Sequence, residues 1–440
     1  MKKGKFIACF LALLVVIPSL SAFGVDFKWG TYLRLRHEYW KNWLDMANDT
    51  KDNRNFFRIK ACIWGKWGFG DIEDLAENTS LFLQLTDEFR AYAHPSTKFD
   101  INEVVVDNLY FDAKNIFGLP VDMRLGRQNF LFTYGEGFLI MDGTPQDGSR
   151  TFYFNAAKFT WKINEENSLD FVYINNPQYD DILPIINEKE APGYKLNTTD
   201  EEGFLLYLKS KSIENTYLET YYIFKNEDNK GGGGIQAQES DIHTIGAYVK
   251  YNFSPYTLRA QLAGQWGDYG SYDRDGLGGY VFLDRSFKDA MWSPSASIGF
   301  IYLSGDDKST NDLEAWDPLF SRWPWMSELY VLAYARETST GPGYWTNLQM
   351  LRLGLTFKPT KKSKFRVWYN YLRANETGPT SSIFSGEKNR GSLYQARLDY
   401  KFTKNIAGYI LAEYFVPGDF YLPTNRSEAV FLRTELSFKF

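Results

Sequence analysis

The chain has 440 residues, 49 basic against 54 acidic, with a formal charge of −5, 18% aromatic residues and a mean hydropathy of −0.39. The acidic balance argues against nucleic acid as a partner, and no apolar run beyond the N-terminus is long enough for a membrane helix. Many aromatics and a secretory start leave one way to cross a bilayer: a β-barrel, whose strands turn every second side chain inward, away from lipid.

In chain order, Lys2, Lys3 and Lys5 precede an apolar run, Phe6–Ile17, closed by Pro18 and Ser19 and followed by Ser21, Ala22 and Gly24. Basic head, apolar middle and small-residue cleavage site make this a signal peptide. A spanning helix would need about 20 apolar residues. We expect residues 1–24 to be removed, leaving one domain over 25–440 in the bacterial outer membrane. Cys9 leaves with the leader and only Cys62 remains, so no internal disulfide staples the fold.

Segments of alternating character separated by turn chemistry then follow. The first is Phe27–Trp40, with Leu33, Leu35 and Tyr39 on one face and Arg34, Arg36 and Glu38 on the other. Arg54–Trp67 sets Phe57, Ile59, Ala61 and Ile63 against Arg58, Lys60, Cys62, Trp64 and Lys66. Thr79–Tyr92, Glu103–Lys114, Val121–Leu131 and Arg150–Trp161 continue the pattern. In Val121–Leu131, Arg124 points inward but Arg127 falls on the outward register, so a bulge at Gly126 or a place above the lipid is expected. The remaining segments are Asn167–Asn176, Glu202–Lys211, Asn215–Lys225, Asp241–Asn252, Tyr256–Asp268, Gly278–Ser286, Pro294–Ser304, Trp345–Lys358, Lys364–Ala374, Arg390–Phe402, Ile406–Val416 and Ala429–Phe440.

That makes about eighteen strands, an even number, as bacterial barrels require. With the N-terminus on the periplasmic side, alternate connections such as Lys162–Glu166, Phe253–Pro255 and Thr403–Asn405 are short. The others include Pro177–Glu201 and Gly305–Tyr344, which are long, and this asymmetry is the expected one. The last segment ends the chain on Phe440, an aromatic terminus resembling the signal read by the barrel-assembly machinery of outer-membrane proteins.

About eighteen strands enclose a lumen too wide for wall side chains to fill. Inward basic residues are Arg34, Arg36, Arg58, Lys60, Lys66, Arg90, Arg124, Arg150, Lys158, Arg259, Arg352, Arg366, Arg397 and Arg433. Inward acids are fewer: Glu38, Glu88, Asp112, Asp122, Asp170, Glu219, Asp399, Glu413 and Glu435. A cationic bore lowers the electrostatic cost of moving anions, and arginine grips carboxylates with a planar fork. The same arginines could instead pair with these acids and stiffen the wall.

The chain resembles the alginate-export family of outer-membrane barrels. The matching pieces are Arg34-Leu35-Arg36-His37-Glu38, Arg54 with Phe57-Arg58-Ile59, Leu125-Gly126-Arg127-Gln128, Asp147-Gly148-Ser149-Arg150, and Ser304-Gly305-Asp306 opening the longest loop. The resemblance implies an eighteen-stranded monomeric barrel whose electropositive lumen conducts an anionic uronate polysaccharide outward, with periplasmic secretion components as partners. By position it makes Arg34, Arg58, Arg127 and Arg150 the candidates for the selectivity constriction; the inward register adds Arg36, Lys60, Arg124 and Lys158 as substrate-binding candidates. The family's exporter is associated with a periplasmic plug loop. Here the longest periplasmic connection, Gly68–Asn78, is short for that role.

The alternatives are a general or anion- and oligosaccharide-selective porin, and an enzyme. For catalysis only His37, His94 and His243 are available as imidazole bases, and no nucleophile signature brackets them. No cofactor signature is present. Asp306, Asp307, Asp312 and Glu314 match no defined calcium motif and read as a solvated loop. Trp316, Trp323, Trp325, Tyr344 and Trp345 either stack on sugar rings, pack the longest loop into the mouth or sit at the lipid interface.

Overall fold

The computed structural model describes residues 25–50, 52–94, 99–100, 104–142, 152–186, 194–197, 199–232, 235–321, 323–329, 345–378 and 383–440. The leader, the Asp147–Arg150 motif and Tyr344 lie outside them. The wall begins with β1 (Asp26–Lys41), β2 (Arg54–Ile72), β3 (Ala76–His94), β4 (Val104–Lys114), β5 (Val121–Gln128) and β6 (Phe154–Lys162). It continues with β7 (Asn167–Asn176), β8 (Glu201–Ser210), β9 (Thr216–Gly232), β10 (Ile235–Phe253), β11 (Tyr256–Tyr269) and β12 (Tyr272–Ser286). Then come β13 (Ser295–Leu303), β14 (Leu348–Thr360), β15 (Ser363–Arg373), β16 (Asn389–Lys401), β17 (Ile406–Pro417) and β18 (Ala429–Lys439).

Each of these eighteen strands pairs antiparallel with its chain neighbours, and β1 also pairs with β18, so the sheet closes. Phe440 completes the seam: Thr31 N donates to its carbonyl at 2.8 Å and its own N donates to Thr31 O at 3.0 Å. A closed barrel leaves no strand edge unpaired, which is the condition for crossing lipid with strands. The period-two pattern sets the faces. Leu33 and Leu35 are 37% and 38% exposed on the lipid side, while the intervening Arg34 and Arg36 turn into the bore with side chains only 15% and 12% exposed. The reverse register would put charges in lipid at about 2–4 kcal/mol each near the midplane.

Connections at the periplasmic end are short, among them 73–75, 163–166, 254–255 and 361–362. Extracellular ones include 129–153, 177–200 and 304–347. The turn expected over Gly68–Asn78 contracts to 73–75, because β2 and β3 extend toward each other. The sixth strand starts at Phe154 rather than at Arg150.

The lumen differs from the wide, wet bore expected. The described parts of loops 129–153 and 304–347 fold into it from the extracellular side. Ile140-Met141 pairs in parallel with Phe320-Ser321. The Phe138 ring stacks on Trp316 at 5.1 Å and meets Trp325 at 5.0 Å and the wall residue Tyr280 at 5.4 Å. Trp316, Trp325 and Trp345 are buried, so among the roles open to these aromatics, packing is the one observed. Apolar loop side chains form a wedge against the wall, driven by the same burial that builds a soluble core.

Candidate functional site

Cations and carboxylates line the bore at fixed places. Glu38 takes Arg36 and Arg433, and three further carboxylates are each shared by two cations. Glu88 on β3 accepts from Arg34 on β1 and Arg58 on β2. Asp170 on β7 takes Lys158 of β6 at 3.1 Å and Lys209 of β8 at 3.0 Å. Asp399 on β16 takes Arg366 of β15 and, at 2.8 Å, Arg397 of its own strand. In the first two the carboxylate lies deepest: Glu88 and Asp170 are 3% and 2% exposed, Arg34 and both lysines 15–20%. Each triad holds one more positive than negative charge.

Around Arg36, Lys60 and Arg124 the balance is even or reversed. Arg36 lies between Glu435 at 2.7 Å and Glu38 at 3.5 Å, and Arg433 between Glu38 and Glu328, the latter from loop 304–347. Lys60 faces Asp107 at 3.9 Å. The pairing of β4 with β3 slips one residue beside Asp107, which turns it into the bore, where it accepts from Gln84 and Thr86 at 2.7 and 2.8 Å. Arg124 forks onto both oxygens of Asp112 at 2.6 and 2.9 Å and lies 4.0 Å over the Tyr110 ring. Arg352 makes no ion pair among the described residues. It donates to Asn370 at 2.8 Å beside the Trp368 ring.

Arg127 keeps the register opposite to Arg124, and β5 shows no bulge against either neighbour. Instead the loop after β7 covers it. Both Asp180 oxygens accept from its guanidinium at 2.9 and 2.6 Å, Asn155 accepts from Nε at 2.9 Å, and the Tyr153 ring lies 4.0 Å away. Gly126 before it has φ +121°, and a Cβ there would lie 2.2 Å from Leu109 O, so only glycine fits.

Loop 129–153 contributes its own side chains. Tyr134 donates to Asp170 at 3.0 Å, and Gly135 N donates to Glu219 at 2.8 Å. Gly135, Glu136 and Gly137 all have positive φ (45°, 54° and 77°), a tight turn that aims Glu136 at the wall. For Glu136 this conformation costs about 1–3 kcal/mol. Asp142, in the same loop, accepts from Phe130 N at 2.5 Å, and burial pushes its carboxyl up to about 7.

A family model described as alginate export matches residues 28–433. The chain belongs to this family. A search of the curated proteins finds no match. Among solved structures, this alginate-export barrel is similar to OccAB1 of Acinetobacter baumannii, with TM-score 0.60 and 11% identity over 94% of this chain and 96% of that one. It is also similar to OccK2 (OpdF) of Pseudomonas aeruginosa in complex with glucuronate, with TM-score 0.56 and 9% identity over 94% and 96%. At such identities the likeness shows the fold alone. Family and fold together make the protein a channel of the bacterial outer membrane.

Of the basic residues singled out from the sequence, the alginate-export barrel gathers Arg34, Arg36, Arg58 and Lys60 on β1 and β2. Arg124 and Lys158 face each other across β5 and β6. Arg127 stands apart under its loop, and Arg150 lies outside the described residues. Sequence reasoning missed Asp107, Glu136, Asp284 and Glu328 as partners, and with them the evenness of the charge. His37 Nε2 bonds Asn55 at 2.6 Å and His243 Nδ1 bonds Tyr222 at 2.7 Å, both beside aromatic rings. Asp306 and Glu314 accept backbone N–H groups of their own loop at 3.2 and 3.1 Å.

Proposed function

We propose that this barrel is a passive channel for anionic saccharides, with export of a uronate polysaccharide as its task. The observation that carries the anionic reading is the set of shared carboxylates. At Glu88 and Asp170 the acid sits in the wall, with Arg58 buried beside Glu88, and Arg34, Lys158 and Lys209 stand before it, so a passing solute meets ammonium and guanidinium groups first. Such groups stabilise a carboxylate by charge-assisted hydrogen bonds while the wall pairs hold them in place. Membership in the alginate-export family supports a polyuronate as cargo. Arg34, Arg36, Arg58, Lys60, Arg124 and Lys158 are the residues that meet it. Arg127, sealed against Asp180, anchors the loop after β7 and shapes the mouth. Arg150, outside the described residues, joins this cationic set on its sequence position alone.

A second reading, uptake of small anionic solutes through a selective porin, draws support from loops 129–153 and 304–347, which narrow the bore. Bilayer recordings with purified barrel separate the two. Anion preference in a salt gradient, with current blockade by uronate oligomers, is the expected result. Anion preference with glucuronate permeation but no blockade by oligomers selects the uptake reading. Cation preference overturns both.

A further inference from the structure

The tip of loop 129–153 presses one carboxylate into a wall site that matches the cargo's own chemistry. Glu136 Oε2 lies 2.8 Å from Arg259 Nη1 on β11, and Oε1 lies 3.0 Å from the same nitrogen. Tyr248 on β10 donates to Oε1 at 3.1 Å, and Tyr280 on β12 donates to Oε2 at 3.2 Å. Three wall strands thus supply one guanidinium and two phenol hydroxyls to a single carboxylate. Asp284 holds Arg259 from the other side through Nε at 2.9 Å, which fixes the fork toward the bore. Unlike the acids sunk in the wall, this pair is open to water: Glu136 is 34% exposed and Arg259 25%.

The carboxylate arrives by an expensive route. Glu136 holds a left-handed backbone between two glycines, where a glycine would serve the turn better. The body of the loop is held independently by Phe138 among Trp316, Trp325 and Tyr280, and by the pairing of Ile140-Met141 with Phe320-Ser321. The tip therefore does not need Glu136 in order to stay docked.

We propose that Arg259, Tyr248 and Tyr280 form a carboxylate-binding station for uronate units and that Glu136 is its built-in competitor, yielding the site when a dissolved carboxylate enters. This rests on the anionic-saccharide reading above and names a station within it. Exchange breaks one guanidinium–carboxylate pair and makes another, so its net cost is small. The tethered Glu136 acts as competitor at an effective concentration in the millimolar range, for which dissolved ligand must compensate.

The test is glucuronate block of chloride current through the full barrel in planar bilayers, with glucose as the neutral control. Glu136→Gln keeps the shape and removes the charge. Glu136→Gly also relieves the strained backbone, so it reads the same effect should the first variant fold poorly. Both are expected to lower the half-blocking glucuronate concentration by about tenfold or more, with glucose inert throughout, and Arg259→Gln in either background is expected to remove the gain. Half-blocking concentrations equal to that of the unaltered protein in both folded Glu136 variants overturn the station. Cation preference in the unaltered protein instead overturns the channel reading and leaves the ratio between variant and parent still measurable, so the two failures are distinct.

Discussion

Replacing Glu88 by glutamine tests whether the shared carboxylates hold the wall and bias the bore at once. Glu88 is 3% exposed and accepts from both Arg34 and Arg58, the latter 4% exposed. Near 3 Å, each ion contact is worth roughly 5 kcal/mol before desolvation at an effective dielectric of about 20. Removing one partner from a buried pair typically costs about 3–5 kcal/mol, because the remaining charge stays buried and unpaired. The glutamine carbonyl still accepts one hydrogen bond, recovering about 1 kcal/mol. The net expectation is a loss of about 3 kcal/mol, together with an added positive charge facing the bore. The assays are denaturant unfolding of the vesicle-reconstituted barrel, followed by tryptophan fluorescence, and reversal potential in a salt gradient. A lower unfolding midpoint with stronger anion preference is expected. An unchanged midpoint with unchanged or weaker anion preference refutes the reasoning.

Two further outcomes follow from the loops and the tight backbone. The Asp142 carboxyl, raised by burial to about 7, makes the docked loop bind a proton more tightly than the undocked loop, so docking is strongest near pH 4 and weakens as pH rises to about 7. Single-channel conductance of the unaltered barrel should rise between pH 5 and pH 8, and Asp142→Asn, which stays neutral and keeps an acceptor for Phe130 N, should flatten the profile. A flat profile in the unaltered protein contradicts this. Gly126→Ala must distort β5 or β4, since its Cβ would lie 2.2 Å from Leu109 O at φ +121°. It should lose at least about 1–3 kcal/mol, read as a lower unfolding midpoint.

The wall was legible in the sequence because lipid on one side and polar lumen on the other impose a two-residue period on every strand. All eighteen expected segments overlap an observed strand, even Gly278–Ser286, which lies inside β12. Partners were less legible. Cross-strand register puts Glu88 opposite Lys60, yet long side chains carry its bonds diagonally to Arg58 and across β2 to Arg34. Asp107 was lost to a one-residue slip that no periodicity announces. The infolded loops have no period at all, but their composition held a signal: Phe130, Phe132, Tyr134, Phe138, Leu139, Ile140 and Met141 are too apolar for a segment bathed in water. Of these, Phe130, Tyr134, Phe138, Leu139, Ile140 and Met141 are buried.

Both infolded loops hang from the outer rim, so the obstruction in this tube is lopsided. The tip of loop 129–153 reaches Arg259 and Glu219, each three residues into a strand that starts at the periplasmic end, so a solute from either side meets the narrow part inside the cylinder, while the tethers lie at the outer rim alone. A passive conduit shaped this way favours neither direction at equilibrium, but under an applied voltage it rectifies, and the sense of that rectification reports which end of the molecule faces the electrode.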